Sequence, residues 1–477
     1  MKTNLYLAPA QAACFVWTQD NTAFIPEMWA NEGLAILEEN MVIANLVHRD
    51  FENEVKDYGD VVNTRRPGTF RISRKKDGTS LTQQDASATP VRVPLDQWFY
   101  TSFTIKDGEA SKSFQDLVDV YLRPGMQTIA RGVDRAVIGR CHAFLANKVG
   151  RLGNLTSSNS KDYVLEAREQ MNVNKAPVDG RNLVLSTVSE TALLKTELFI
   201  SASERGDGGT ALQNAVLGRI LGFNTYMDQN VNNVSPVSCD TISDGRVNSV
   251  GGYPAGTATE LVVENLTGHT SASTQWCYVT VDGDNQPTYA RAASGTADTT
   301  GITLSAALKY AVLNDAQVTI YTSCVVKGGY AAAWSEAVKV DGFTTGFAPQ
   351  VGQLIAFGTT TRHVYTIIES WLSGTGEQSL ILDRPLDYLL TNDELAYPGP
   401  GGAFNMAFHR DAIALVTRPL AVPNNAMGVL SHVGVYNDIA MRVSMQYDIQ
   451  EGGTVVNLDI LAGIAVLDTN LCAVLLG

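Results

Sequence analysis

SFQDLVDVYLRPGMQTIARGVDRAVIGRCHAFLANKV, residues 113–149, is the stretch on which the fold turns. From Met126 its apolar residues recur at Ile129, Val133, Val137, Cys141, Phe144 and Leu145. Steps of three and four place them on one stripe of a helix. Arg131, Asp134, Arg135, Arg140 and Lys148 fall mostly on the other side, so the helix lies on something rather than inside it. Pro124-Gly125 interrupts an earlier apolar run (Phe114, Leu117, Val118, Tyr121, Leu122) and reads as a kink, or a break between two collinear helices. At 1.5 Å per residue, about 36 residues make a rod of roughly 50 Å. Such a spine suits an extended, flat molecule, although the core helix of a large enzyme would show the same pattern.

Composition narrows the class. Charged residues are 18% and hydrophobic residues 45% of the 477, which is globular rather than disordered. That length allows two to four domains. A net charge of -14 argues against a surface that grips nucleic acid throughout. The charge is unevenly placed: residues 61–150 carry 14 Lys/Arg against 8 Asp/Glu, a net of +6, and residues 232–400 carry 7 against 16, a net of -9. Opposite signs on two surfaces fit a protein that meets neighbours or has an inside and an outside. Cys14, Cys141, Cys239, Cys277, Cys324 and Cys472 stand far apart with no paired-ligand spacing, so they read as reduced, mostly buried thiols. The opening MKTNLYLAPAQAAC superficially resembles an export signal, but its apolar run is short and Pro9 breaks it. Asp459 and Asp468 interrupt the hydrophobic C-terminus, so no run reaches the length of a membrane span. The expectation is a soluble chain that is not exported and has no membrane partner.

Outward from the spine, residues 1–25 lack periodicity and read as an extended arm. Pro26 then opens a helical pattern through Met28, Trp29, Leu34, Leu37, Met41 and Ile43, with Glu27 favourable in its first turn; this N-terminal helical region runs to residue 62. Residues 63–106 form an extended loop. DYGDVVNTRRPGTFRISRK leads into it, KKDGTSLTQQDASATP (75–90) is a polar tract with little to bury, and VRVPLDQWFYTSFTIKD resumes strand character. In that last stretch Phe99, Thr101, Phe103 and Ile105 fall on one face. Two strands around a polar tip make a protruding hairpin, marginal alone in water and therefore expected to rest on another subunit; a loose surface loop is the alternative. The spine helix and body span 107–231. Within it Asn182–Thr187 is a short strand, Thr187 and Glu190 carry a capping-box signature, Ala211–Leu221 is a short helix and GFNTYMDQNV a strand. From 232 to 402 Gly, Ser and Thr become dense and short strands recur (ELVVENL, QWCYVTVDG, AQVTIYTSCVV, QLIAFG, HVYTIIESWL, QSLILD), which implies one inserted β-rich domain or two. NVNNVSP and YPGPGG bound it. Residues 403–477 return to the body with NMAFHRDAIALVTRPL, GVYNDIAMRVSMQYDI and VVNLDILAGIAVLD, each read as one strand that completes the body's sheet.

This order of parts resembles the major capsid (coat) proteins of tailed bacteriophages with the Hong Kong 97-type fold, and most closely the coat protein of the short-tailed Salmonella phages with its inserted β-barrel. DYGDVVNTRRPGTFRI, LGFNTYMDQNV, AFHRDAIALVTRPL and MRVSMQYDIQEGGTVVNLDILAGIAVLD carry the resemblance. KVDGFTTGFAPQVGQLIAFG through SGTGEQSLILDRPL looks like that family's insertion barrel. Residues 236–335 depart from the pattern and suggest an added immunoglobulin-like domain or an enlarged insertion. The fold class so implied is α+β: arm, extended hairpin loop, long spine helix, and peripheral and axial domains, with an inserted β-barrel or immunoglobulin-like domain. The implied function is an icosahedral shell of hexamers and pentamers of this chain around phage double-stranded DNA, held without sequence specificity. Its partners would be a scaffolding protein, a portal protein and, in some shells, decoration proteins. Assembly would take place in the host bacterial cytoplasm through a procapsid that expands, and the chain would end in the virion capsid. The resemblance also lays the extended loop over a neighbouring subunit.

Signatures of chemistry are weak. HRD occurs at His48-Arg49-Asp50 and His409-Arg410-Asp411 without the other parts of a kinase site. Arg205-Gly206-Asp207 reads as a turn, and VDGDNQ lacks the distal Glu of a calcium loop and reads as a β-turn. No catalytic, cofactor or metal residues are assigned, and the chain is not read as an enzyme. Arg65, Arg66, Arg71, Arg74, Lys75 and Lys76 form the one real charge cluster. It suits docking on acidic surfaces of neighbouring subunits, since Arg pairs bidentately with carboxylates; a DNA-facing patch and plain solvated charge are the alternatives. Pro124 and Gly125 are the candidate hinge. Rival readings are a tail or baseplate component and a β-rich hydrolase.

Overall fold

The computed structural model describes residues 29–30, 32–37, 41–49, 61–66, 72–78, 80, 83, 89–106, 121–153, 155–201, 214–231, 241–254, 256, 260–264, 276–281, 284–292, 300–303, 308–321, 324–331, 337–343, 348–358, 363–374, 376–399, 402–418, 420–423, 429–436, 439–450 and 452–477. The arm of residues 1–25, residues 107–120 and Arg205-Gly206-Asp207 lie outside them.

The strand Gly453–Val466 is the axis of the body. Along one edge it pairs antiparallel with Gln97–Lys106, from Gly453 opposite Lys106 to Ala462 opposite Gln97. Along the other it takes Ile439–Asp448 and then, further on, Ile413–Arg418. Leu430–Tyr436 completes this sheet. Alternation puts Phe99, Thr101, Phe103 and Ile105 on the face with Val456, Leu458 and Ile460. The spine helix Arg123–Gly139 lies on that face and buries Met126, Ile129, Ala130, Val133, Ala136 and Val137. Its cover is continued by the helical residues 32–37, with Leu37 fully buried. Each of these side chains larger than alanine is worth about 1.5–3 kcal/mol of burial.

The spine differs in form from one continuous α-helix. Its described part begins with a π-turn at Tyr121 and Leu122, runs as α-helix for 17 residues and continues as a 3-10 helix, Arg140–Asn147, of 8 residues. Rises of 1.5 and 2.0 Å make these roughly 26 and 16 Å long. The tighter 3-10 coil begins where the helix runs under a β-barrel, whose Thr366 takes up the carbonyl of Gly139.

A second, mixed sheet has the order Lys148–Gly150, Cys472–Leu476, Phe404–His409, Arg181–Leu185, Phe223–Met227, Arg219–Ile220. With the helix Ser160–Val173 it closes a separate core around Val164, Met171, Leu183, Phe223 and Leu475. Three local expectations change here. NMAFHRDAIALVTRPL is two strands, Phe404–His409 and Ile413–Arg418, serving different sheets, because the His409 side chain accepts from Asp411 N and caps a 3-10 turn between them. The cap of the helix Thr187–Leu194 is Ser186, one residue upstream of the expected Thr187, and Ser189 N donates to its Oγ at 3.2 Å. In the Ala211–Leu221 segment only Asn214 of the described residues is helical; Ala215, Gly218 and Leu221 have positive φ, which breaks a helix, and Arg219–Ile220 is a strand.

Residues 241–398 contain two closed six-stranded barrels. The first uses strands from Thr241–Val247 to Gln317–Tyr321 in place of the immunoglobulin-like sandwich, since its sheet closes on itself and leaves no second layer to stack. The second runs from Cys324–Val326 to Leu395–Pro398 around Val340, Phe357, Tyr365 and Leu380. The single apolar run AQVTIYTSCVV thus supplies the last strand of one barrel and the first of the next. Within the first barrel, Val281 pairs with Asp284, so VDGDNQ joins two strands through a two-residue connection.

A buried ion pair fixes the register of the body sheet. Arg442 lies opposite Asp459, donating from Nε to Oδ1 at 3.0 Å and from Nη2 to Oδ2 at 2.5 Å, and Asp459 is fully buried. Asp459→Ala strands the guanidinium and should cost on the order of 3–5 kcal/mol in urea unfolding of the chain. The volume-matched Arg442→Met/Asp459→Leu pair should recover most of that loss; an equally unstable double variant would show that the pair itself, and not the stranded charge, holds the register.

Candidate assembly interface

The extended loop is a hairpin with a fixed root and an exposed tip. Its arms are Val61–Arg66 and Thr89–Pro94, paired antiparallel from Val61 opposite Pro94 to Arg66 opposite Thr89. Gln97–Lys106 is not an arm; the apolar face at Phe99 and Phe103 draws it into the body sheet. At the root, Val93 and Leu95 are buried with Ala414 and Val416, against Leu461, Ala465 and Leu467. The hairpin therefore crosses the sheet on the face away from the spine helix. The crossing is close. A Cβ on Gly463 would stand 2.3 Å from the carbonyl oxygen of Pro94, so only glycine fits under it.

Ile72 is 101% exposed, and Arg74, Lys75, Lys76 and Asp77 are exposed with it. Arg65 and Arg66 sit at the end of the first arm, opposite Pro90 and Thr89. Arg71 lies outside the described residues. Residues 61–94 hold 7 Lys/Arg against 2 Asp/Glu, a net of +5 in a chain of net -14. The loop's charge is thus opposite in sign to that of the chain as a whole. Beside the root, Trp98 and Tyr100 leave the same sheet face half-exposed and exposed.

The hinge candidates Pro124 and Gly125 stand in the first turn of the spine helix, directly after the π-turn. Pro124 lacks an N–H where the helix needs none, and its carbonyl accepts from Thr128 Oγ1 at 2.9 Å. Space is tight at Gly125, where a Cβ would meet Leu458 at 3.2 Å.

Further along the spine, the buried Asp134 clamps the N-terminal segment. It accepts from Val42 N at 2.9 Å, Ala44 N at 3.0 Å and Asn230 Nδ2 at 3.3 Å. Asp228 is buried beside it, and its Oδ2 has no hydrogen-bond partner among the described residues. Burial first, then the Asp228 charge, raise the Asp134 carboxyl to about 7. The spacing of the stripe gave no sign of this, since Asp134 reads from sequence as a solvent-side residue. Arg140, also read as solvent-side, is 8% exposed.

The two HRD triplets meet. Asp411 lies 3.2 Å from His48 Nδ1 and 3.6 Å from His409 Nδ1, while His48 N and O bond Ile413 O and Leu415 N. The first triplet thus adds a short parallel bridge to the strand after the second, a structural seam rather than a proton relay. The Cys141 thiol is pushed up to about 12, by burial and then by Asp383, which leaves it unreactive. Among the described residues no three His, Cys, Asp or Glu side chains gather as a metal site, and no helix is long and apolar enough to cross a membrane.

The second barrel is seated on the end of the spine. Arg135 donates to Ile368 O at 3.1 Å and pairs with Glu369 at 2.5 Å. Gly139 O accepts from Thr366 Oγ1 at 2.7 Å, and a Cβ on Gly139 would lie 2.7 Å from Asp383 Cβ. The first barrel is pinned by Tyr310, whose Oη accepts from Gly150 N at 2.8 Å and donates to Glu166 at 2.9 Å, with Arg151 5.4 Å over its ring.

No family model and no curated protein matches the sequence. Solved structures similar to this chain include one from Mycobacterium phage Che8 (TM-score 0.44, 12% identity, 91% of this chain and 90% of that one). The capsid structure of the cyanophage P-SCSP1u gives a TM-score of 0.42 at 11% identity, over 91% of this chain and 88% of that one. The asymmetric unit of the bacteriophage PhiM1 mature capsid gives 0.40 at 9%, over 90% and 87%. With every one of these TM-scores below 0.5, they are likenesses and nothing more.

Gly463→Ala should lift the hairpin root, costing about 1–3 kcal/mol and speeding amide exchange in 89–94 while the second sheet is unchanged. Unaltered exchange there would show the root free to move aside. A separate expectation concerns pH. Because the folded chain holds the Asp134 proton more tightly than the unfolded one, stability should fall as pH rises from about the ordinary 3.8 through about 7. Asp134→Asn should flatten that slope in urea titrations across the range, and an unchanged slope would assign it elsewhere.

Proposed function

We propose that this chain is the shell-forming major capsid protein of a tailed bacteriophage, and that its work is structural rather than catalytic. One observation carries the reading: the hairpin is anchored at its root by buried apolar residues and a close backbone crossing, yet its described tip buries nothing of its own chain. A hairpin is marginal in water beyond its anchored root, so an exposed tip with Ile72 and adjacent cations suits reception by something outside the chain. A second copy is the natural receiver, since the chain is acidic overall.

In this reading hexamers and pentamers close into an icosahedral shell around double-stranded DNA, which is held without sequence specificity. Each contact is modest and closure multiplies it. A scaffolding protein would direct assembly in the host cytoplasm, a portal protein would occupy one vertex, and the procapsid would expand as DNA enters. The π-turn and Pro124-Gly125 at the head of the spine supply a place where the helix can bend during that expansion. The two barrels stand outside the sheet and helix that build the body, as inserted domains at 232–402.

Electron microscopy of native particles purified with the chain tests this: closed shells are expected, and a chain recovered only as a monomer, or only in tubes or rings, would overturn the reading. Arg74→Glu/Lys75→Glu/Lys76→Glu should keep the circular dichroism and melting of the parent yet fail to form stable shells. Shells of undiminished yield from that variant would remove the tip from the interface.

A further inference from the structure

The strand that follows the hairpin and the second barrel meet at Asp383, which is 0% exposed. Its Oδ1 accepts from Thr366 N at 2.8 Å, and its own N donates to Thr366 O at 2.9 Å, both inside the barrel. Its Oδ2 lies 3.4 Å from Nη1 of Arg140, the residue that follows the spine helix, and 3.4 Å from Nη1 of Arg384. Its carbonyl oxygen accepts from Gln97 Nε2 at 2.6 Å, and that bond is buried. Gln97 opens the strand that follows the hairpin's second arm and lies three residues beyond Pro94.

The surroundings leave little room for these bonds to slide. Gly139 meets Asp383 with no space for a Cβ, and Thr366 bonds the Gly139 carbonyl. Arg140 donates its other terminal nitrogen to Ile464 O at 2.9 Å, in the sheet strand that the hairpin crosses. Arg384 Nη1 stands 3.0 Å from His142 Nε2, and His142 Nδ1 is 2.9 Å from Gly139 O. An imidazole with its proton on Nδ1 satisfies both contacts, donating to the carbonyl and accepting from the arginine. If the barrel tilted on the spine while the hairpin stayed, Gln97 or the Asp383 carbonyl would be left buried and unpaired, which is costly. Two independent attachments would not share a residue in this way.

We propose that Asp383 is a mechanical coupling between the seating of the second barrel and the direction of the hairpin, so that the two move as one unit. The proposal deepens the shell reading above, because it makes the reach of each finger depend on the position of an inserted domain. The coupling itself is a property of a single chain and can be measured without assembly.

Hydrogen exchange on the full-length chain, read by mass spectrometry, tests it. Gln97→Ala removes only the hairpin-side bond. Coupling predicts roughly ten-fold faster exchange on the barrel side, in peptides covering 364–368 and 380–384, with the strand Arg181–Leu185 unchanged. Thr366→Val removes only the barrel-side hydroxyl and should speed exchange in 89–94. Effects confined to the side of each substitution would overturn the proposal. Should Thr366→Val fail to fold, Gln97→Ala and the near-isosteric Gln97→Met decide alone. Shells without cross-effects would sink the coupling only, and cross-effects in a chain that never forms shells would sink only the shell reading.

Discussion

The last carbonyl of the spine helix organises much of what surrounds it. A helix C-terminus leaves carbonyls without intrahelical partners, and here Gly139 O is met by Thr366 Oγ1 from the second barrel and by the His142 ring. This is possible because residue 139 has no side chain: a Cβ would occupy the place of Asp383. The barrel comes down onto the backbone itself. The chain tightens into a 3-10 helix after that point, and His142 is held neutral, its pKa lowered chiefly by burial. The second barrel is thereby held at the end of the spine, where Arg135 also bonds Ile368 O and pairs with Glu369.

The body has an asymmetric construction that follows from the same spine. One face of the central sheet is filled by helix, with Phe99, Phe103 and Leu458 on it. Among the described residues the other is covered where the hairpin root crosses, at Leu461 and Ala465, and beyond that Trp98 and Tyr100 are exposed. A sheet with a helix on one side and a hairpin root on the other makes a thin layer, and the described residues of the hairpin's tip are exposed.

The residue pattern disclosed the apolar stripe of the spine, because steps of three and four along Met126 to Leu145 leave few alternatives to a helix. It disclosed the alternation at Phe99 to Ile105 as well. It did not reveal that this strand leaves the hairpin for the sheet, since alternation says which residues share a face and not which neighbour covers it. Asp134 and Arg140 look like solvent-side charges when only the stripe is considered, yet both are buried, because elements 90 and more residues away close over that side. The run AQVTIYTSCVV hides a boundary between two barrels: local β character is the same on both sides of it. Charge clusters such as Arg74-Lys75-Lys76 are visible in sequence, but exposure had to come from the fold.

Three of the buried carboxyl groups share one habit. Asp134 joins the spine to the N-terminal segment, Asp383 joins the barrel, the spine and the strand after the hairpin, and Asp459 joins neighbouring strands through Arg442. Each stands at a seam between elements and is saturated by donors that come from elsewhere in the chain. Buried ion pairs add little net stability over well-packed apolar residues, but a misplaced one is expensive, so they penalise wrong register more than they reward the right one. Apolar faces, by contrast, tolerate small slips. On the shell reading proposed above, a chain that presents the same finger at the same angle in every copy gains more from seams that resist slipping than from a deeper core. The distribution of its charges therefore supports repetition as the purpose of the fold, with adhesion left to the surfaces outside.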